Sequence, residues 1–122
     1  MIHILILLFL LNSIYAKAQM QTVTHTEDNK TIFTNYYANG KIKSIETNGW
    51  FAACGMYVDT SFYYDSTGAL IKTIVYDPTM PKVGTGCHDA ITFITITKYK
   101  KNKIISKKKY KELYEGERTE IN

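Results

Sequence analysis

Only two of the 122 residues are cysteine, three are histidine and one is tryptophan. Each shortage closes off a class of function. His25, His88 and Asp89 follow no established metal-ligand spacing, so no metal site is expected. The short "GTG" at Gly84 to Gly86 lacks the strand-loop-helix context and following lysine of a phosphate-cradling loop, and no cofactor is expected. A membrane-spanning helix needs roughly 20 apolar residues, and the longest apolar run, Ile4 to Leu11, is much shorter. A sustained 3.6-residue apolar period is missing as well, until "SKKKYKELYEGE", which leaves a short C-terminal helix and a last strand both open.

What the chain does have begins with an address. "MIHILILLFLLNSIYAKAQ" passes from an apolar run through Asn12 and Ser13 to the small-x-small pattern Ala16, Lys17, Ala18. That reads as a secretory signal over residues 1–18, cleaved before Gln19, with no cysteine beside the cleavage site to carry a lipid. The mature chain, 19–122, is expected to be a single β domain, periplasmic or secreted, with no stable membrane insertion once the signal is gone. Export places Cys54 and Cys87 where disulfides persist, so a bridge between them is expected, closing a loop of 33 residues. A reactive thiol or a metal ligand is the competing use of the pair.

Charge is uneven. From Gln19 to Thr97 there are five Lys against seven Asp plus Glu, whereas Lys98 to Asn122 holds nine Lys plus Arg against four Glu. Such asymmetry can mark an anionic partner. Lysine on an exposed edge strand also blocks strand addition, and this is the simpler reading, because the lysines are not interleaved with the glycine-rich or stacking motifs of nucleic-acid modules. No nucleic-acid partner is expected.

Threonine and β-branched residues dominate the rest, as in "TIFTNYY", "ALIKTIVY" and "AITFITITKY", and turn residues punctuate them. The chain therefore reads as all-β. One design occurs twice, in "NYYANGKIKS" (Asn35 to Ser44) and "FYYDSTGALIKT" (Phe62 to Thr73). Asn39-Gly40 predicts a type I′ hairpin turn with Tyr37 facing Ile42, and Asp65 to Gly68 predicts a longer hairpin loop with a bulge. A third copy with Tyr99, Asn102, Ile104 and Ile105 lacks a turn glycine. Pro78, Pro81, Gly84 and Gly86 mark the stretch from Asp77 to Asp89 as a long irregular connection.

These Tyr-Tyr-x-x-Gly-x-Leu/Ile-Lys stretches resemble the repeats of the bacterial MORN-repeat-variant proteins, some of which are antitoxin-like. The resemblance covers Asn35 to Ser44 and Phe62 to Tyr76 well and Tyr99 to Tyr110 poorly. It implies an antiparallel meander of hairpins forming one open sheet without a catalytic centre. The family's Gly-x-x-His-Gly link is absent, and "NGWFAACGMYVDTS" stands in its place.

The rigid, wide aromatic side chains are the candidates for contact: Tyr36, Tyr37, Trp50, Tyr63 and Tyr64, with the loop around His88. Strand alternation lets only one tyrosine of each adjacent pair face a given side. No catalytic residue is expected. The function these features favour is an exported, non-enzymatic protein-binding module, in its most concrete form an immunity-like or antitoxin-like protein. An envelope-associated structural or adhesive module is the alternative, and a small hydrolase using His88 ranks third.

Overall fold

A computed structural model describes residues 21–80 and 86–122. The expected signal segment, residues 1–18, and Pro81 and Gly84 lie outside the described residues. The rest is the expected antiparallel meander: β1 (Thr22–Glu27), β2 (Lys30–Tyr36), β3 (Ile42–Phe51), β4 (Cys54–Tyr57), β5 (Asp59–Tyr64), β6 (Leu70–Thr79), β7 (Ile91–Lys100), β8 (Lys103–Leu113) and β9 (Arg118–Ile121). They form one sheet in the order β1-β2-β3-β5-β6-β7-β8-β9, and β4 pairs with β3 alone.

The repeated design is visible in the register. Tyr36 pairs with Ile42, Tyr64 with Leu70 and Tyr99 with Ile104, and in each hairpin the register slips just before the tyrosine. Lys43, Ile71 and Ile105 are the extra residues of the three bulges, all at one end of the sheet. Bulges raise the local twist, so the three act together to coil this end.

The turn at Asn39-Gly40 is not the type I′ turn expected. Gly40 alone has a positive φ, +84°, while its N–H donates to the Tyr37 carbonyl and the Tyr37 N–H to Lys41. This is a four-residue turn closed by a glycine bulge, and Tyr36 rather than Tyr37 stands opposite Ile42. Asp65 to Gly68 repeats that geometry, as does Leu113 to Gly116 between β8 and β9, outside the three tyrosine hairpins. The Asn39 side chain is the reason, because its Oδ1 accepts the Lys41 N–H and caps the turn without itself entering positive φ. Pairs of positive-φ residues, the mark of a two-residue hairpin, occur instead at Asp28-Asn29, Ala52-Ala53 and Lys101-Asn102.

One open choice is resolved and one further expectation is corrected. Of the two forms left open for "SKKKYKELYEGE", the strand is the one adopted and the helix is not, because the ladder with β7 from Lys98 to Ile91 satisfies the backbone of Ser106 to Leu113 and overrides local propensity. The irregular connection begins at Met80 rather than Asp77, since Asp77, Pro78 and Thr79 pair with β7. Pro78 is tolerated there because the pairing with β5 has already ended at Asp59–Tyr76, so no donor is needed on that side.

The sheet is one layer, and its core is correspondingly thin. Ile74 and Ile94 are buried on one face and Thr47, Thr73 and Thr97 on the other, with Val58, Ala90 and Cys54 at the margins. A core this small favours an added staple. The expected disulfide supplies it: Cys54 and Cys87 are joined, their Cα atoms 5.5 Å apart.

Candidate functional site

The sheet forks at the disulfide end. Asp59 has φ +58° and breaks what would be one continuous strand into β4 and β5, both paired along β3. Val58 anchors the break: its N–H donates to Thr47, and its side chain packs so closely on Gly49 that a methyl group there would stand 2.9 Å from Cγ2. Lys30 Nζ holds the Asp59 carboxylate at 2.7 Å. Beyond this point β4 pairs with β3 alone, and across a gap its Tyr57 and Met56 reach Tyr76 on β6 and Thr92 on β7.

The gap is a cleft of about 690 Å³. Register places its main walls on one face of the sheet: Thr31 and Phe33 from β2, Asn48 and Trp50 from β3, Tyr57 from β4. Tyr76, Thr92 and Glu112 complete that face from β6, β7 and β8, so the sheet curls until strands far apart in order border the same space. Cross-links hold the fork at a fixed width. Tyr57 stacks on Tyr76 with centroids 5.5 Å apart, Tyr114 Oη donates to the Gly55 carbonyl at 3.4 Å, and the disulfide ties the start of β4 to the segment entering β7.

Trp50 is the most open large side chain of the rim, 69% exposed. Across the β3–β4 pair it faces Gly55, and a methyl group on Gly55 would lie 3.5 Å from the six-membered ring. The indole thus rests one flank on bare backbone and presents the other to solvent, a stacking platform that costs little to order because it is already supported.

The cleft carries almost no net charge. Its one acid, Glu112, is held in a two-pronged pair by Arg118, whose Nε lies 2.7 Å away. Burial, with Tyr57 beside it, pushes the Tyr76 hydroxyl up to about 12, so it stays a neutral hydrogen-bonding group. Further along the same face, burial and the Glu46 carboxylate raise Tyr63 well above the ordinary phenol range, and Lys72 Nζ sits 4.3 Å from its ring centroid. The arrangement suits a neutral ligand that stacks and hydrogen-bonds.

The residues singled out from sequence divide between the two ends. Trp50 borders the cleft, and His88 lies in a 3-10 turn, Cys87–Asp89, next to the disulfide. Its Nε2 is 3.6 Å from Asp89, its ring is 68% exposed, and among the described residues no hydroxyl is hydrogen-bonded to it. Tyr63 shares the cleft face but not the cleft. Tyr36 ends β2, while Tyr37 and Tyr64 join two hairpins at the opposite end through a 2.7 Å bond from the Tyr37 hydroxyl to the Tyr64 carbonyl.

Phe33, Tyr57, Tyr76 and Tyr114 are the wall residues that reading the sequence missed. The signal for Tyr57 and Tyr76 was their strand context, but nothing local says that two strands not paired to each other meet. Compared with family models, with curated proteins and with solved structures, the chain matches none.

Proposed function

We propose that this is an exported, non-enzymatic binding module whose partner is a protein, a segment of which seats in the cleft against Trp50. The observation that carries the reading is the supported, outward-facing indole at the rim of an uncharged aromatic cleft. Tryptophan and tyrosine dominate the energetics of protein interfaces once a partner desolvates the pocket they line. An immunity-like or antitoxin-like role is its most concrete form and rests on the resemblance of the two tyrosine hairpins to antitoxin-like repeats.

The test is affinity capture by the oxidised protein from the envelope and culture fluid of its own cells, with Trp50→Ala alongside. One stoichiometric protein partner, encoded beside this gene, toxic when expressed alone and lost with Trp50→Ala, supports the proposal. Recovery of wall material or of the protein itself, unaffected by Trp50→Ala, overturns it.

One observation favours the envelope-associated structural reading as the second choice. All six residues of edge strand β1 are exposed, and neither lysine nor proline guards it, so it is open to strand addition. Concentration-dependent oligomers abolished by Val23→Pro would move the assignment to that reading.

A further inference from the structure

The end of the sheet opposite the cleft has a different chemistry. Three turns gather there, Tyr37 to Lys41, Asp65 to Ala69 and Lys101-Asn102, and the last is flanked by Lys98, Lys100 and Lys103. No Asp or Glu occurs from Ile91 to Lys111. Asp65, in the neighbouring turn, is occupied by its own loop, where Oδ1 accepts from the Thr67 N–H, the Thr67 hydroxyl and the Ala69 N–H. Among the described residues none of the eight lysines between Lys98 and Lys111 makes an ion pair.

Register makes the crowding worse. Lys72 stands directly opposite Lys98, and Lys100 opposite Lys103. Like charges in opposed positions destabilise a sheet, so folding alone gives no reason to place them there. Edge protection accounts for part of the charge, because β9 covers β8 only from Lys109 to Glu112 and leaves Lys103 to Lys108 as a free edge. It does not account for Ile104 and Ile105, each 61% exposed at the same tip, the second of them the extra residue of the bulge. A solubilised edge would carry polar residues at those positions.

We propose that this hairpin tip is a docking site for an anionic phospholipid surface. Ile104 and Ile105 enter the boundary between headgroups and acyl chains, and the lysine stems lie along that boundary with their ammonium groups at the phosphates. A nucleic acid or a polyacidic segment would satisfy the charge but leave the two isoleucines unexplained. The proposal is independent of the cleft: it would hold the module on an envelope membrane with the cleft facing away.

The experiment is sedimentation of the oxidised protein with vesicles of mixed phosphatidylglycerol and phosphatidylethanolamine, against vesicles of phosphatidylcholine. Binding to the anionic vesicles only, weakened by salt, is expected. A surface lysine contributes about fivefold to such binding, so Lys100→Gln, Lys101→Gln and Lys103→Gln together should weaken it by about a hundredfold. Ile104→Ser with Ile105→Ser, which keeps every charge, should weaken it by about tenfold. Unchanged thermal midpoints check that both variants fold; should either fail to, salt dependence and vesicle selectivity of the unaltered protein decide. Equal binding to both vesicle types, binding only to polyglutamate or duplex DNA, or full retention in a folded isoleucine variant would overturn the proposal.

Discussion

The Tyr37 hydroxyl donates to the main-chain carbonyl of Tyr64 at 2.7 Å, and so joins two copies of one hairpin, from the residue just after β2 to the residue that ends β5. Asn39 Nδ2 to the Ser66 carbonyl and Lys41 Nζ to the Thr67 carbonyl add two more bonds between the same turns. Only two residue pairs connect β3 to β5 in the ladder itself, so these side-chain bonds carry much of the join. Tyr37→Phe should therefore cost about 1 kcal/mol in urea unfolding, the usual worth of one half-buried hydrogen bond. An unchanged midpoint would show that the ladder alone holds the hairpins together.

Gly40 is needed for its backbone rather than for space, since its φ is +84° and nothing lies within 4 Å of an added Cβ. Gly40→Val should destabilise the fold by more than about 1 kcal/mol, because a β-branched residue resists that conformation. Calorimetry of the variant decides the point.

Ser61 is fully buried and its Oγ has no hydrogen-bond partner among the described residues. An unsatisfied buried hydroxyl costs folding free energy, and Ser61→Ala removes it without opening a large void. The expected result is stability unchanged or raised by up to about 1 kcal/mol in chemical denaturation. A loss of that size would reveal a partner for the hydroxyl.

The disulfide closes a loop of 33 residues, and its reduction should lower stability by about 3 to 4 kcal/mol on the chain-entropy account. Because the bridge also spans the fork, the loss should appear first at β4. Hydrogen exchange of Gly55 to Tyr57 in the reduced protein, faster there than in β7, checks this.

Tyrosine ionisation sets an alkaline limit. Burial, with Tyr57 next, raises Tyr76 from an ordinary value of 10.0 to about 12, and Tyr63 is raised too, by burial and then by Glu46. The folded-state value lies above the unfolded one, so these phenols favour folding while protonated. Their contribution is complete below pH 10 and is lost as pH climbs through about 12. Ultraviolet titration should show late-ionising tyrosines in the folded protein, and Tyr76→Phe should remove one of them. Tyrosines that all ionise together near the ordinary value would contradict the burial of this pair.

Much of the architecture follows from residue types that act locally. Alternation and β-branched composition make the strands, Gly40, Gly68 and Gly116 supply positive φ where the chain must turn, and two cysteines in an otherwise cysteine-free chain pair with each other. The turn type at Asn39-Gly40 was beyond local reading, because both geometries suit that dipeptide. The Asn39 cap on Lys41 and the contacts with the next turn select between them.

The cleft belongs wholly to tertiary structure. Phe33, Trp50, Tyr57 and Tyr76 sit on four different strands, and whether they meet depends on sheet curl and on the break at Val58-Asp59. Curl is the sum of many small twists and bulges, and the break depends on one valine fitting one glycine across the sheet. Period and propensity report on neighbours along the chain. They are silent on where two unpaired strands come to face each other, and that facing makes the site.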